Sequence, residues 1–237
     1  MGDDMKNLVS FEKVLGLDFN NPSILLSALT HPSYAFEHPE EGIAHNERLE
    51  YLGDAVLELF ISDYLFRIFP QKNEGELTKL RARLVCAESL YELAFKINLD
   101  EYLRLGKGER KAGGNRRMSN LANAVEAVIG AIYFDRGIEA AFTFIKKLFG
   151  EKLNPENLET LPKDEKTTLQ ELLQKEKNNV LWYEVLQEDG PAHQKVFTAG
   201  VFINHKLFAT GRGKSKKEAE QEAARKALEL LTKDEGV

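Results

Sequence analysis

Residues 150–163 read GEKLNPENLETLPK, and the hydrophobic spacing follows different rules on either side of them. Two prolines and scattered charge in that stretch mark a linker. Before it, apolar residues recur at helical spacing near 8–16, 22–30, 46–69, 75–85, 87–97, 119–135 and 138–149. Breaks at Asn21-Pro22, His38-Pro39, Pro70, Gly106 to Gly108 and Gly113-Gly114 separate these segments. After it, an amphipathic helix over 164–177 precedes three β-like runs: VLWYEVL (180–186), KVFTAGVFI (195–203) and HKLFATG (205–211). Gly190-Pro191 and Asn204-His205 supply the turns. A last helix covers about 216–231, its start marked by the capping-box spacing of Ser215 and Glu218. The expectation is an all-α domain over 1–149, a linker over 150–163 and an α+β domain of order α-β-β-β-α over 164–237.

An apolar fraction of 43% in 237 residues suffices for two cores. No apolar run reaches the roughly 20 residues a membrane span requires. The opening residues MGDDMKNLVS lack a basic segment followed by a long apolar one, and the lone Cys86 excludes an intrachain disulfide and a cysteine-cluster zinc site. The expected location is cytoplasmic, with no membrane partner. A net charge of −6 argues against nonspecific polyanion binding, unless an acidic site and a basic edge are segregated.

Such an acidic site is legible in NERLEYLGD at 46–54. Glu47, Glu50 and Asp54 fall on one helix face, while Leu49, Leu52, Val56 and Leu59 are expected to point mostly the other way. Clustered carboxylates repel, and a hard divalent cation such as Mg2+ would relieve them. A solvated helix face is the alternative. The basic edge is legible in GRGKSKKEAE, where Arg212, Lys214, Lys216 and Lys217 meet a helix N-terminus. Lysines there oppose the helix dipole, so phosphate binding explains them better than helix stability does. A solvated loop is the alternative here.

The α-β-β-β-α order, GPAH at 190–193 and KSKKEAE at 214–220 resemble a double-stranded-RNA-binding domain. The resemblance implies RNA contacts from the first helix through Thr167, Gln170, Glu171 and Gln174. It implies a second contact near Pro191 and His193, and a third through Lys214, Lys216 and Lys217. Such contacts read the shape of A-form RNA with little sequence preference.

In the first domain, NERLEYLGDAVLE, ALTHPSY (28–34), NEGELTKLRARLV (73–85), GKGE (106–109) and VEAVIGAIYFDRG (125–137) are similar to ribonuclease III. That resemblance implies Mg2+-dependent endonucleolytic cleavage of double-stranded RNA, as in the processing of rRNA, mRNA and other structured RNA. Products would carry 5′-phosphate and 3′-hydroxyl ends with short 3′ overhangs, and Mn2+ could replace Mg2+. By matching motif, Asp54 and Glu126 are the expected catalytic positions. Glu50, Asn123 and Glu126 are the expected metal positions, and Glu47 and Glu74 are accessory acidic residues. Glu74 could equally serve a helix N-terminus, and Glu58 reads as solvated surface. Tyr51 stands where the family usually has a phenylalanine that plugs a partner subunit, which implies a homodimer; an ordinary core aromatic is the alternative. Lys107, Lys111, Arg116 and Arg117 lie in GKGERKAGGNRR, which reads equally as an RNA contact or a solvated loop.

The family carries Asp where this chain has Asn123. An amide oxygen is a weaker ligand for Mg2+ than a carboxylate, and one charge is missing. The expectation is a cleavage-impaired enzyme. A fully active enzyme with a natural Asn and a non-cleaving regulator that binds double-stranded RNA are the alternatives.

Overall fold

The three-dimensional structure, a computed structural model, describes residues 2–159, 165–174, 179–191 and 195–234. The chain divides into two compact units, Met1–Thr160 and Leu161–Val237.

The first unit is helical. It runs through α1 (Gly2–Leu15), α2 (Pro22–Ala28), α3 (Pro32–Glu37), a 3-10 turn (Pro39–Glu41), α4 (Glu47–Ile68), α5 (Glu74–Val85) and α6 (Ala87–Lys96). It continues through α7 (Leu99–Tyr102), α8 (Lys107–Lys111), a 3-10 turn (Gly114–Arg116), α9 (Met118–Arg136) and α10 (Ile138–Phe149). A 3-10 turn (Gly150–Leu153) and α11 (Pro155–Glu159) close it. Several starts follow from local chemistry. Asn21 caps α2 and His31 caps α3, each ahead of a proline in the first turn. Asn73 and Glu76 form a full capping box on α5.

α9 is the axis of the core. Leu121, Ala124, Val125, Val128, Ile129 and Ile132 are fully buried around its circumference. A helix that is apolar all round belongs in the interior. α4 crosses it where neither helix has a side chain. A Cβ on Gly53 would overlap the Glu126 carbonyl, and one on Gly130 would overlap the Leu49 carbonyl. The two glycines let the helix that carries Glu50 and Asp54 lie directly on the helix that carries Glu126.

Two expectations change here. Residues 150–159, read as linker, are helical and packed, with Leu153 and Leu158 buried and the Tyr64 hydroxyl donating to the Leu153 carbonyl at 2.7 Å. Leu59, expected on the core face, is 55% exposed. It shares an outer stripe of α4 with Tyr51 and Phe66, at 81% and 72% exposed.

The second unit has α12 (Glu165–Gln174), then β1 (Leu181–Asp189), β2 (Val196–Ile203) and β3 (Lys206–Gly213), then α13 (Lys216–Asp234). The strands form an antiparallel sheet in the order β1-β2-β3. Asn204 and His205, at φ 50° and 66°, make the two-residue turn between β2 and β3. Positive φ at both positions gives the turn the hand that matches strand twist. Leu169 and Leu173 from α12 and Ala223, Ala224 and Ala227 from α13 pack on Val201 of β2. Gly211 and Gly213 of β3 lie against the backbone of α13, where a Cβ would collide. The architecture is therefore a helical domain followed by an α-β-β-β-α domain. No helix among the described residues is long and apolar enough to cross a membrane.

Candidate functional site

Glu50 and Asp54 lie one turn apart on α4. The α4–α9 crossing brings Glu126 and Asn123 to the same side. Burial raises the pKa of Glu50, and the charges of Glu47 and Asp54 raise it further, while polar contact with the Asn123 side chain opposes them. Glu126 is the most perturbed of the set, raised to about 7. Burial is the largest cause, followed by the charges of Asp54, Glu50 and Glu58. Every charged group that shifts Glu126 is thus acidic. Half-buried negative charge opposed by none of these neighbours is the setting a hard divalent cation stabilises, and all the side chains involved offer oxygen. The donor set therefore fits a hard divalent cation.

Glu58, read from sequence as solvated surface, belongs to this acidic face, since its charge reaches Glu126. Glu47 is exposed at the edge of the set, its carboxylate 3.5 Å from His45 Nδ1. Glu74 is not part of the set within one chain. It sits at the start of α5, accepts a hydrogen bond from Thr78 Oγ1 at 3.2 Å, and lines a groove of about 590 Å³ with Leu59, Ser62, Phe66 and Leu77. That groove flanks α4 beyond the turn of Asp54, about 14 Å further along the helix axis at Asp63.

Among the described residues, the acidic and histidine side chains whose ligating atoms all come within 4.8 Å of one another are His38, Glu40 and Glu41. They sit at the C-cap of α3 and in the turn after it rather than on α4 or α9. Glu41 is already committed to Arg104 at 2.7 Å and to the Tyr34 hydroxyl at 2.8 Å, so this cluster is a surface ion-pair network.

The basic segment 106–117 is more ordered than its glycines suggest. Glu109 accepts from Asn120 Nδ2 at 2.8 Å and from Arg117, and Gly114 packs against it. The hydrogen bond from buried Asn120, more than any other contact, holds the Glu109 carboxyl below its usual range. Arg117 is thereby spent on Glu109, and Arg116 lies 3.4 Å from Asp100. Lys107 and Lys111 remain exposed. Sequence reasoning missed Glu109 and Asn120; the signal was one acidic residue inside a run of basic ones.

In the second unit Lys214, Lys216 and Lys217 are all exposed at the start of α13. Ser215 Oγ accepts from the Glu218 amide at 3.2 Å, and the Glu218 carboxylate accepts from the Lys214 amide at 2.7 Å. This is the expected cap displaced by one residue on its return arm. Gln170 is exposed on α12. Thr167, Glu171 and Gln174 lie on the same helix, but their side chains are outside the described residues, and so is His193 altogether.

Comparison with known proteins accords with this division. A Ribonuclease-III-like family model matches residues 21–153, and a double-stranded RNA binding motif matches residues 165–231. A ribonuclease 3 of Carboxydothermus hydrogenoformans is 82% identical over 99% of this chain and 100% of its own length. One from Clostridium botulinum is 49% identical over 94% of this chain and 95% of its own length. Among solved structures, the nuclease domain of ribonuclease III from Campylobacter jejuni superimposes with a TM-score of 0.56 at 40% identity. It covers 61% of this chain and 96% of that one, and that domain shows structural flexibility in a region involved in dimer formation. Joined to the acidic crossing of α4 and α9 and the lysine-bearing end of α13, these matches place the chain in the ribonuclease III family, as a nuclease domain followed by a double-stranded-RNA-binding domain.

Proposed function

We propose that the chain is a Mg2+-dependent endoribonuclease of the cytoplasm that cuts double-stranded RNA, including rRNA and mRNA precursors. Cleavage leaves 5′-phosphate and 3′-hydroxyl ends with short 3′ overhangs. The carrying observation is the close crossing of α4 and α9, which sets half-buried Glu126 within reach of the charges of Glu50 and Asp54. When bound, Mg2+, or Mn2+ in its place, supplies Lewis acidity and an activated water for phosphodiester hydrolysis. Glu50, Asp54 and Glu126 hold the ion through carboxylate oxygens, with Glu126 the most direct. Asn123 offers only a neutral oxygen and faces Glu50. Glu47 adds negative charge at the rim.

The second domain grips the duplex through α12, by way of Thr167, Gln170, Glu171 and Gln174. Lys214, Lys216 and Lys217 take phosphates across a groove, and His193 enters the adjacent minor groove. Two copies pair through the exposed stripe of α4, with Tyr51 of one entering the groove beside Leu59 and Phe66 of the other. Glu74 lines that groove, so pairing sets its distance from the partner's acidic face.

Position 123 weakens catalysis. A missing carboxylate lowers affinity for the cation without disturbing the fold. Wild type and Asn123→Asp are compared on a long RNA duplex with and without Mg2+. Faster cutting by Asn123→Asp supports impairment, and equal rates refute it. If neither cuts while both bind, the chain is a double-stranded-RNA-binding regulator instead.

A further inference from the structure

Lys216 is already engaged. Its Nζ lies 3.2 Å from Glu188 Oε1 and 5.8 Å from the centroid of the Phe197 ring. The other oxygen of Glu188 accepts from Lys195 Nζ at 3.1 Å. One carboxylate near the end of β1 thus bridges two ammonium groups, one at the start of β2 and one in the first turn of α13. The hydrogen bonds to Lys195 and Lys216 hold Glu188 below the usual carboxylate range, so it stays charged wherever RNA is bound.

An RNA phosphate would make the same contacts with the same two lysines, one oxygen to each. The fold does not depend on the bridge. The side chains of Glu188, Lys195 and Lys216 are 37%, 46% and 60% exposed, and ion pairs this open add little stability. For an incoming phosphate, however, the trio presents one net positive charge where the lysines alone would present two.

We propose that Glu188 is an internal competitor for RNA phosphate, which holds Lys195 and Lys216 together and tempers the affinity of this domain for duplex RNA. The inference rests on the RNA-binding reading of the second domain. Phosphate must draw at least one lysine away from Glu188 or accept a like charge beside it. A processing enzyme gains from this, because a moderated grip lets cut duplex leave.

The test is duplex RNA binding by the full chain in EDTA, for wild type and Glu188→Gln, across a range of salt. Glu188→Gln is isosteric and exposed, and its melting curve should match wild type. It should bind about three- to tenfold more tightly near 0.1 M salt, with a log–log salt slope steeper by about 1. In a Lys195→Ala/Lys216→Ala background the same change should leave affinity unaltered. Equal affinity and slope for wild type and Glu188→Gln overturn the inference, and so does weaker binding, which would make Glu188 an orienting group. A wild-type chain that fails to bind duplex RNA overturns the RNA-binding reading itself.

Discussion

Glu126 combines two costs that a folded protein ordinarily avoids: partial burial of a carboxylate and placement beside three others. Its folded pKa of about 7 lies above the ordinary 4.5, so the folded chain holds that proton more tightly than the unfolded chain. Its contribution to stability is therefore complete below about pH 4.5 and is lost as pH rises through 7. Without divalent metal, Glu126→Gln should raise the melting temperature of the nuclease domain at pH 8 by about 5 °C, and by much less at pH 5. If Mg2+ occupies the proposed site, it should stabilise wild type and this variant should lose that gain, as read by calorimetric melts with and without the ion. On the proposed reading Mg2+ competes with this proton, so wild-type affinity for Mg2+ should fall as pH drops below 7; titration calorimetry at pH 6 and 8 checks it, and equal affinities would refute it. The grouping of Glu50, Asp54 and Glu126 was legible in the sequence through one-turn spacing and motif. Glu58 was not, because helical spacing alone does not tell which acidic residues of α4 face α9. Leu59 was misread for a related reason: α4 is apolar over two faces, and only one meets the core.

Helix placement, by contrast, is governed by two residues with no side chain. Gly53→Ala or Gly130→Ala would push a methyl group into the facing backbone. Either change should cost about 3 kcal/mol or more in stability and abolish cleavage, because helices that part also part Glu126 from Glu50 and Asp54. Chemical denaturation and a cleavage assay measure both effects, and a well-folded active variant would refute the close crossing. Smaller elements were the hard ones to read. α8 sits in a glycine-rich basic run whose local signals say loop, and its order comes from Glu109 bonded to Asn120, eleven residues on. Glu109→Gln should therefore speed amide exchange across 107–117 while leaving α4 protected. α11 was hidden behind Asn154 and Pro155, which read as a break but here open a helix: the Asn154 side chain accepts from the Glu156 amide at 3.1 Å. The β-turn at Asn204-His205 and the α-β-β-β-α order were fully legible, because period-two alternation and turn residues are local signals.

Charge over the whole chain is distributed unevenly. Residues 161–237 hold thirteen basic and thirteen acidic side chains, so the net charge of −6 belongs to the nuclease unit. The RNA-binding unit has no net charge to draw RNA in, and its grip depends on where individual lysines stand. Loss of Lys217 alone should then weaken duplex binding similarly for all sequences and reduce the salt slope by about 1. The outer stripe of α4 yields the prediction for assembly. On the proposed pairing, Tyr51→Arg should convert a dimer into a monomer in light scattering and abolish paired cutting, while the melting temperature of the monomeric fold changes little, since Tyr51 is 81% exposed. α4 itself joins these observations. Its 22 residues form an unbroken rod of about 33 Å, with the acidic face near one end and the exposed stripe running to the other. In the proposed dimer that rod would be a gauge bar. The interval between cuts on opposite strands would then be stored as a mechanical length, and a bend or a spliced residue midway along α4 would alter the stagger of the product ends without touching a single reacting atom.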